Sequence, residues 1–335
     1  MREVAAAAGV STATVSRALS DPVLVGLEVG ERIRRLAKDL GYVRNGAAGA
    51  LSSSRSRLLG VLTPAALDEG HAAMLAAIQA SLAAADYASL VLMGPTREGF
   101  HRILSAGVEG IALLGASISD EMLELATARG LAVADVGEGQ GPRPVSEGDL
   151  DLTRGAATVA AYLSELGHRR FGLIGAREPW GIWSDCTKAL EAALGERADT
   201  VVLQAPAASF DFDVARDRVQ EWLQQPMPPT AIICSDDLLA AGAVRGCASA
   251  GVSVPGDVSV VGVGDFAWSR HGQPALTTLR LPWKMAAQGV AARLLAARAC
   301  VPGGAATLAE RAQPAARLVV RGTSAPLSGI RGTSR

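Results

Sequence analysis

Five of the seven side chains from Ser11 to Arg17 can do chemistry: Ser11, Thr12, Thr14, Ser16 and Arg17, in GVSTATVSRAL. Short hydroxyls suit phosphate oxygens and fix register on a duplex. A guanidinium can give guanine two parallel hydrogen bonds, worth ~1–3 kcal/mol of discrimination. At helical spacing Thr12, Ala13, Ser16 and Arg17 share an outer face, while Val4, Ala8, Val10, Val15 and Leu19 suit an inner one. The other reactive groups are weaker candidates. His168 in LGHRR and His271 could act as bases, with Ser235-Asp236-Asp237 as a polar run. No nucleophile elbow or metal-ligand spacing accompanies them, so structural histidines and no enzymatic activity are expected. Cys186, Cys234, Cys247 and Cys300 lie far apart without a CxxC pair. That spacing disfavours a metal site and suits reduced thiols in a cytoplasm. No phosphate loop and no GxGxxG opening a helix is present, so no cofactor is expected.

Length and charge bound the partners. The chain has 335 residues, enough for two or three domains, and 49% of it is hydrophobic, enough for a large core. No apolar run reaches the ~18–20 residues of a membrane span, and the N-terminus lacks a secretory pattern. Residues 1–60 carry nine basic side chains (Arg2, Arg17, Arg32, Arg34, Arg35, Lys38, Arg44, Arg55, Arg57) against Glu3, Asp21, Glu28, Glu31 and Asp39. That segment is therefore net +4, and with −1 overall the remainder holds −5. A basic head on an acidic body points to a polyanion partner for the head alone.

These side chains must be positioned by regular elements. The head reads as three helices near 2–8, 12–19 and 28–40, with Gly9 at the turn, Ser11 as an N-cap and Gly41 as a stop. A second helix held across a short turn is the arrangement that enters a major groove, so the reading is an all-α helix-turn-helix headpiece. NGAAGALSSSRSR (45–57) has linker composition. From Leu58 onward short apolar runs alternate with helical stretches. LLGVLT (58–63), ASLVLM (88–93), GIALLG (110–115) and LAVADV (131–136) form one set of strands. RFGLIG (170–175), TVVLQ (200–204), TAIIC (230–234) and VSVVGV (258–263) form another. Helical candidates between them are 71–85, 119–129, 154–166, 185–194, 212–224 and 237–250. Two sets of about four strands imply two doubly wound parallel-sheet lobes with a cleft beyond the strands' carboxyl ends.

AAGVSTATVSRAL with ERIRRLAKDLGYVRN resembles the headpiece of the lac repressor and galactose repressor family. The resemblance continues through LGHRRFGLIG, TAIICSDDLLAAGAVRGCASAGVSVPGDVSVVGVGDF, ALTTLRLP and LVVRGTS, nearly the whole chain. It implies a homodimeric transcriptional regulator, usually a repressor, that binds a palindromic operator in double-stranded DNA and is controlled by a small-molecule effector. It also implies a periplasmic-binding-protein-like α/β core, with a headpiece at 1–44, a hinge helix at 45–57, a core at 58–324 and a tail at 325–335. Lobe 1 would span about 58–153 and 283–312, and lobe 2 about 154–276 and 314–324. In the hinge, the match places Asn45 at the N-cap, Ala48 at the minor-groove floor and Leu51 at a wedge between base pairs. Gly46 and Gly49 depart from that pattern, each costing ~1 kcal/mol of helix propensity. Members also usually carry a few residues, often a capping Thr, ahead of the position Met1 occupies, so a start upstream is expected.

For the effector, the resemblance singles out positions with uneven agreement. Asp236 replaces the usual Asn of an Asn-Asp pair, and Trp283 keeps an aromatic platform. Cys186 stands where an arginine grips the ligand. Gly264 replaces the first Asp of a pair and leaves Asp265. Asp151 keeps its place but Leu152 replaces an Asn, and His71 stands near an aromatic position. With arginine and aspartate gone, expectation moves away from simple sugars and purines. A carbohydrate or another metabolite both stay open, with Trp180, Trp183 and Trp283 as an apolar wall and Arg154 near a strand end. A solute-binding protein for uptake shares such a core, but would carry an export signal in place of the basic head.

Overall fold

The computed structural model describes residues 1–20, 25–42, 55–136, 150–176, 182–196, 201–207, 211–299 and 315–327. They fall into two compact units, divided between Ser56 and Arg57.

The first unit holds α1 (Arg2–Ala8), α2 (Thr12–Ser20) and α3 (Leu27–Asp39). The chain leaves α1 through Gly9 at φ 63°, a left-handed conformation that costs glycine nothing. The Thr14 N–H then donates to Ser11 Oγ at 3.1 Å, the cap bond that starts α2. Met1, at the N-cap position of α1, makes no side-chain cap bond. Val4, Ala8, Val15, Ala18, Ile33 and Ala37 are buried together, with Val10 and Leu19 packed against them. Arg32 reaches from α3 to the carbonyl of Ala8 at 3.0 Å and closes the end of α1.

The second unit has two sheets. In the first lobe β1 (Leu58–Thr63), β2 (Ala88–Met93), β3 (Gly110–Leu113) and β4 (Ala132–Asp135) are all parallel in the order β2-β1-β3-β4. Helices α4 (Glu69–Ala84), α5 (Arg97–Ser105) and α6 (Asp120–Ala128) connect them. Helix α5 is absent from the helical stretches expected from sequence.

The second lobe opens with α7 (Leu152–Glu165), capped by Asp151. Its strands are β5 (Arg170–Ala176), β6 (Val201–Ala207), β7 (Ala231–Cys234), β8 (Ser259–Gly264), β9 (Thr277–Arg280) and β10 (Arg317–Val319). They run in the order β10-β9-β8-β7-β5-β6, parallel except for β10 against β9. The sheet therefore has six strands rather than about four. TTLR and RLV are too short, and too rich in Thr and Arg, to read as buried strands. Helices α8 (Ile182–Gly195), α9 (Phe212–Leu223) and α10 (Asp237–Ser249) complete this lobe. Helices α9 and α10 meet so closely that a Cβ on Gly242 would lie 2.2 Å from the Phe212 carbonyl oxygen. Finally α11 (Trp283–Ala299) returns to the first lobe and packs along α4. One apolar cluster runs through both lobes, joining Met74 and Ile78 to Phe171 and Ile233 by way of Trp183, Phe266 and Trp283.

Candidate functional site

In the head, the face of α2 turned away from its core carries the residues read from sequence. Ser11, Thr12, Ala13 and Arg17 are exposed, and Thr14 and Ser16 are half-buried. Ser11 Oγ also lies 2.9 Å from Thr14 Oγ1, so one hydroxyl pair marks the helix start. The helix N-terminus adds unpaired N–H groups and the positive end of its dipole, both suited to phosphate. Asn45, Ala48 and Leu51 lie outside the described residues, as does Trp180.

In the second unit a cavity of about 420 Å³ opens between the lobes at the carboxyl ends of β1, β7 and β8. Its first-lobe wall is the segment from Pro64 to His71, which leaves β1 and enters α4. Asp68 organises that wall. As the N-cap of α4 it accepts the His71 N–H through Oδ1 at 2.9 Å. Its Oδ2 accepts the Trp183 indole N–H from the other lobe at 3.1 Å. His71 is 2% exposed, and its Nδ1 lies 2.9 Å from Asp68 Oδ2, near enough for an ion pair but not aligned for a hydrogen bond. Nε2 has no hydrogen-bond partner. Gly115, at φ 73°, makes room for the ring, since a Cβ there would fall 2.6 Å from Nε2. Burial alone would lift the Asp68 carboxyl, but the His71 side chain and N–H and the Trp183 indole together hold it below the usual aspartate range.

The second-lobe wall is aromatic and acidic: Trp183, Asp236, Leu238, Phe266 and Trp268. Trp183 meets His71, Phe266 and Trp283 edge-on, with ring centroids at 6.4, 6.3 and 5.5 Å. Asp236 caps α10 by accepting the Leu239 N–H through Oδ1 at 2.7 Å. It is 3% exposed. Burial, reinforced by the charges of Asp237 and Asp68, raises its pKa to about 7. Asp237 is spent inside the lobe, accepting from Thr278 Oγ1 and from the Phe266 N–H. Burial is likewise the main cause that raises it, to about 6. At the cavity mouth Glu69 Oε2 accepts the Ala267 N–H at 2.7 Å, a second hydrogen bond between the lobes after that of Trp183 to Asp68.

Of the positions expected to touch an effector, His71, Trp183 and Asp236 line this cavity. The other described ones stand outside its lining. Trp283 packs over Gly70 and donates to the Gly264 carbonyl at 3.4 Å, so both serve the joint between α4 and β8. Asp265, at φ 54°, is paired to Arg280 and Arg321 and ties the end of β8 to β9 and to the chain just after β10. Cys186 is buried in the core of α8. Asp151 caps α7 through the Arg154 N–H at 2.9 Å, and Arg154 is exposed. His168 bonds Thr230 Oγ1, Ser259 Oγ and the Ala325 carbonyl at 3.0–3.2 Å, a structural knot rather than a reactive group. Sequence reading missed Asp68, Glu69, Phe266 and Trp268. The one available signal was DEGH ahead of an apolar helical stretch, an N-cap at the end of a strand.

Among the described residues, no group of acidic, histidine and cysteine side chains could hold a metal ion. No described helix is long and apolar enough to cross a membrane. The sequence pattern of bacterial regulatory proteins of the lacI family matches residues 1–45, and that of a periplasmic binding protein-like domain matches residues 160–324. The chain is 28% identical to the HTH-type transcriptional repressor CytR of Escherichia coli strain K12 over 292 residues, 84% of each chain. It is 28% identical over 305 residues to the repressor PurR of Pectobacterium carotovorum, covering 88% of this chain and 89% of the other. Among solved structures it resembles a lac repressor dimer bound to operator and the anti-inducer ONPF. That likeness has a TM-score of 0.79 at 22% identity over 96% and 98% of the two chains.

Proposed function

The chain belongs to the lacI family of bacterial regulatory proteins, and from that premise we propose that it is a repressor whose grip on a palindromic operator is set by a small molecule in the interlobe cavity. The observation that carries this reading is the two-faced α2. Its Val15 and Ala18 anchor the three-helix core while Thr12, Ala13 and Arg17 stay exposed. A helix so held offers its outer face to base edges, and the net +4 of residues 1–60 supplies the attraction to phosphate.

Two-fold operators require two heads, so the active species is a homodimer, acting in the cytoplasm. The segment 45–57 serves as the hinge, with Asn45 as its cap, Ala48 at the groove floor and Leu51 as the wedge. An effector favours one arrangement of the lobes. By linkage, operator and effector change each other's affinity by one common factor, typically ~1–3 kcal/mol. The chemistry is binding without turnover. Fluorescence anisotropy of full-length protein on a palindromic duplex enriched from a random pool, and on its scrambled counterpart, tests this. Tighter binding to the palindrome, shifted by a cavity ligand, is expected. Equal affinity for both duplexes would overturn the reading.

A further inference from the structure

We propose that the cleft is built for an organic cation, an ammonium group between Asp68 and Asp236 whose apolar body lies against Trp183, Phe266 and Trp268. This inference rests on the cleft being the effector site and specifies which class of molecule it takes.

The charge of the cavity and the nature of its walls both favour a cation. Asp68, Glu69 and Asp236 bring three carboxyl groups to one cavity, and none of its described lining residues is Arg, Lys, Asn or Gln. Hydroxyl-rich ligands need donors as well as acceptors from their site, and this lining has few donors left to give. The Trp183 indole N–H is already spent on Asp68. Among the described residues no cation is paired with Asp236, and Asp237 beside it and Asp68 across the cavity both add like charge. A buried carboxylate without a counter-charge is costly, and a bound cation supplies the missing partner.

The walls point the same way. Trp268 remains 39% exposed and Leu238 37% exposed, both at the cavity, so apolar surface is left for a ligand body to cover. Indole and phenyl faces attract ammonium groups, most strongly where water is excluded.

Isothermal titration calorimetry of the full-length protein with 2-phenylethylamine, tryptamine and benzyltrimethylammonium, against 2-phenylethanol as the neutral shape match, tests the class. The cations should bind at least about tenfold more tightly than the alcohol. Asp236→Asn should remove most of that preference, with its fold checked by circular dichroism. Equal binding of amine and alcohol, or binding of polyols alone, would overturn the proposal, and the wild-type comparison decides this without any variant. The operator assay judges the regulator reading separately. Operator release by a polyol would leave that reading standing while refuting the cation, and cation binding without operator preference would do the reverse.

Discussion

Two residues carry most of the account, one at each site. Arg17 is exposed on the outer face of α2, the position from which a guanidinium can reach a guanine edge. Arg17→Ala should relax preference at one base pair of each half-site and cost ~1–3 kcal/mol against the best sequence, read by anisotropy on single-base operator variants. Unchanged preference would remove Arg17 from the groove. Asp236 controls a pH response. Its carboxyl, held near 7 by burial and then by Asp237 and Asp68, keeps a proton that the unfolded chain releases near its ordinary value of 3.8. The stabilisation is therefore complete below about pH 4 and lost as pH rises towards 7. Asp236→Asn keeps an acceptor for the Leu239 N–H but cannot ionise. Its Tm relative to the parent should climb between about pH 4 and pH 7 and then level off, by on the order of a few kcal/mol in stability. A flat difference across that range would contradict the assignment.

At the scale of elements, α2 depends on its first turn. Ser11→Ala removes the acceptor of the Thr14 N–H and should cost ~1 kcal/mol of head stability, measured by thermal melting, with a matching loss of operator affinity. The same capping logic explains what could be read without coordinates. Ser11 and Gly41 bound helices near their observed ends, and apolar runs such as LLGVLT coincide with β1 because a fully buried strand must be continuously apolar. The edge elements were not legible. Strand β9 carries Thr because its hydroxyls are hydrogen-bonded inside the lobe, Thr277 accepting the Arg321 N–H and Thr278 donating to Asp237, while Leu279 alone of its residues joins the core. The cavity wall was half legible for a similar reason. His71, Trp183 and Asp236 could be located, yet Asp265 and Trp283 turn out to be committed to the joints around β8. Whether a carboxylate is free for a ligand depends on which arginine reaches it across the fold, and spacing along the chain does not encode that.

The whole molecule joins a basic head to a core with an interlobe cavity. Phosphate neutralisation by the head releases counterions, so operator affinity should fall steeply with salt, while effector binding to the second unit should not follow the same slope. The most direct test of the central claim is footprinting of the full-length protein on a duplex enriched from a random pool. The account predicts protection of two half-sites related by a two-fold axis, each losing protection at its centre in Arg17→Ala. Uniform protection of any fragment offered, with no symmetric pair of half-sites, would contradict it.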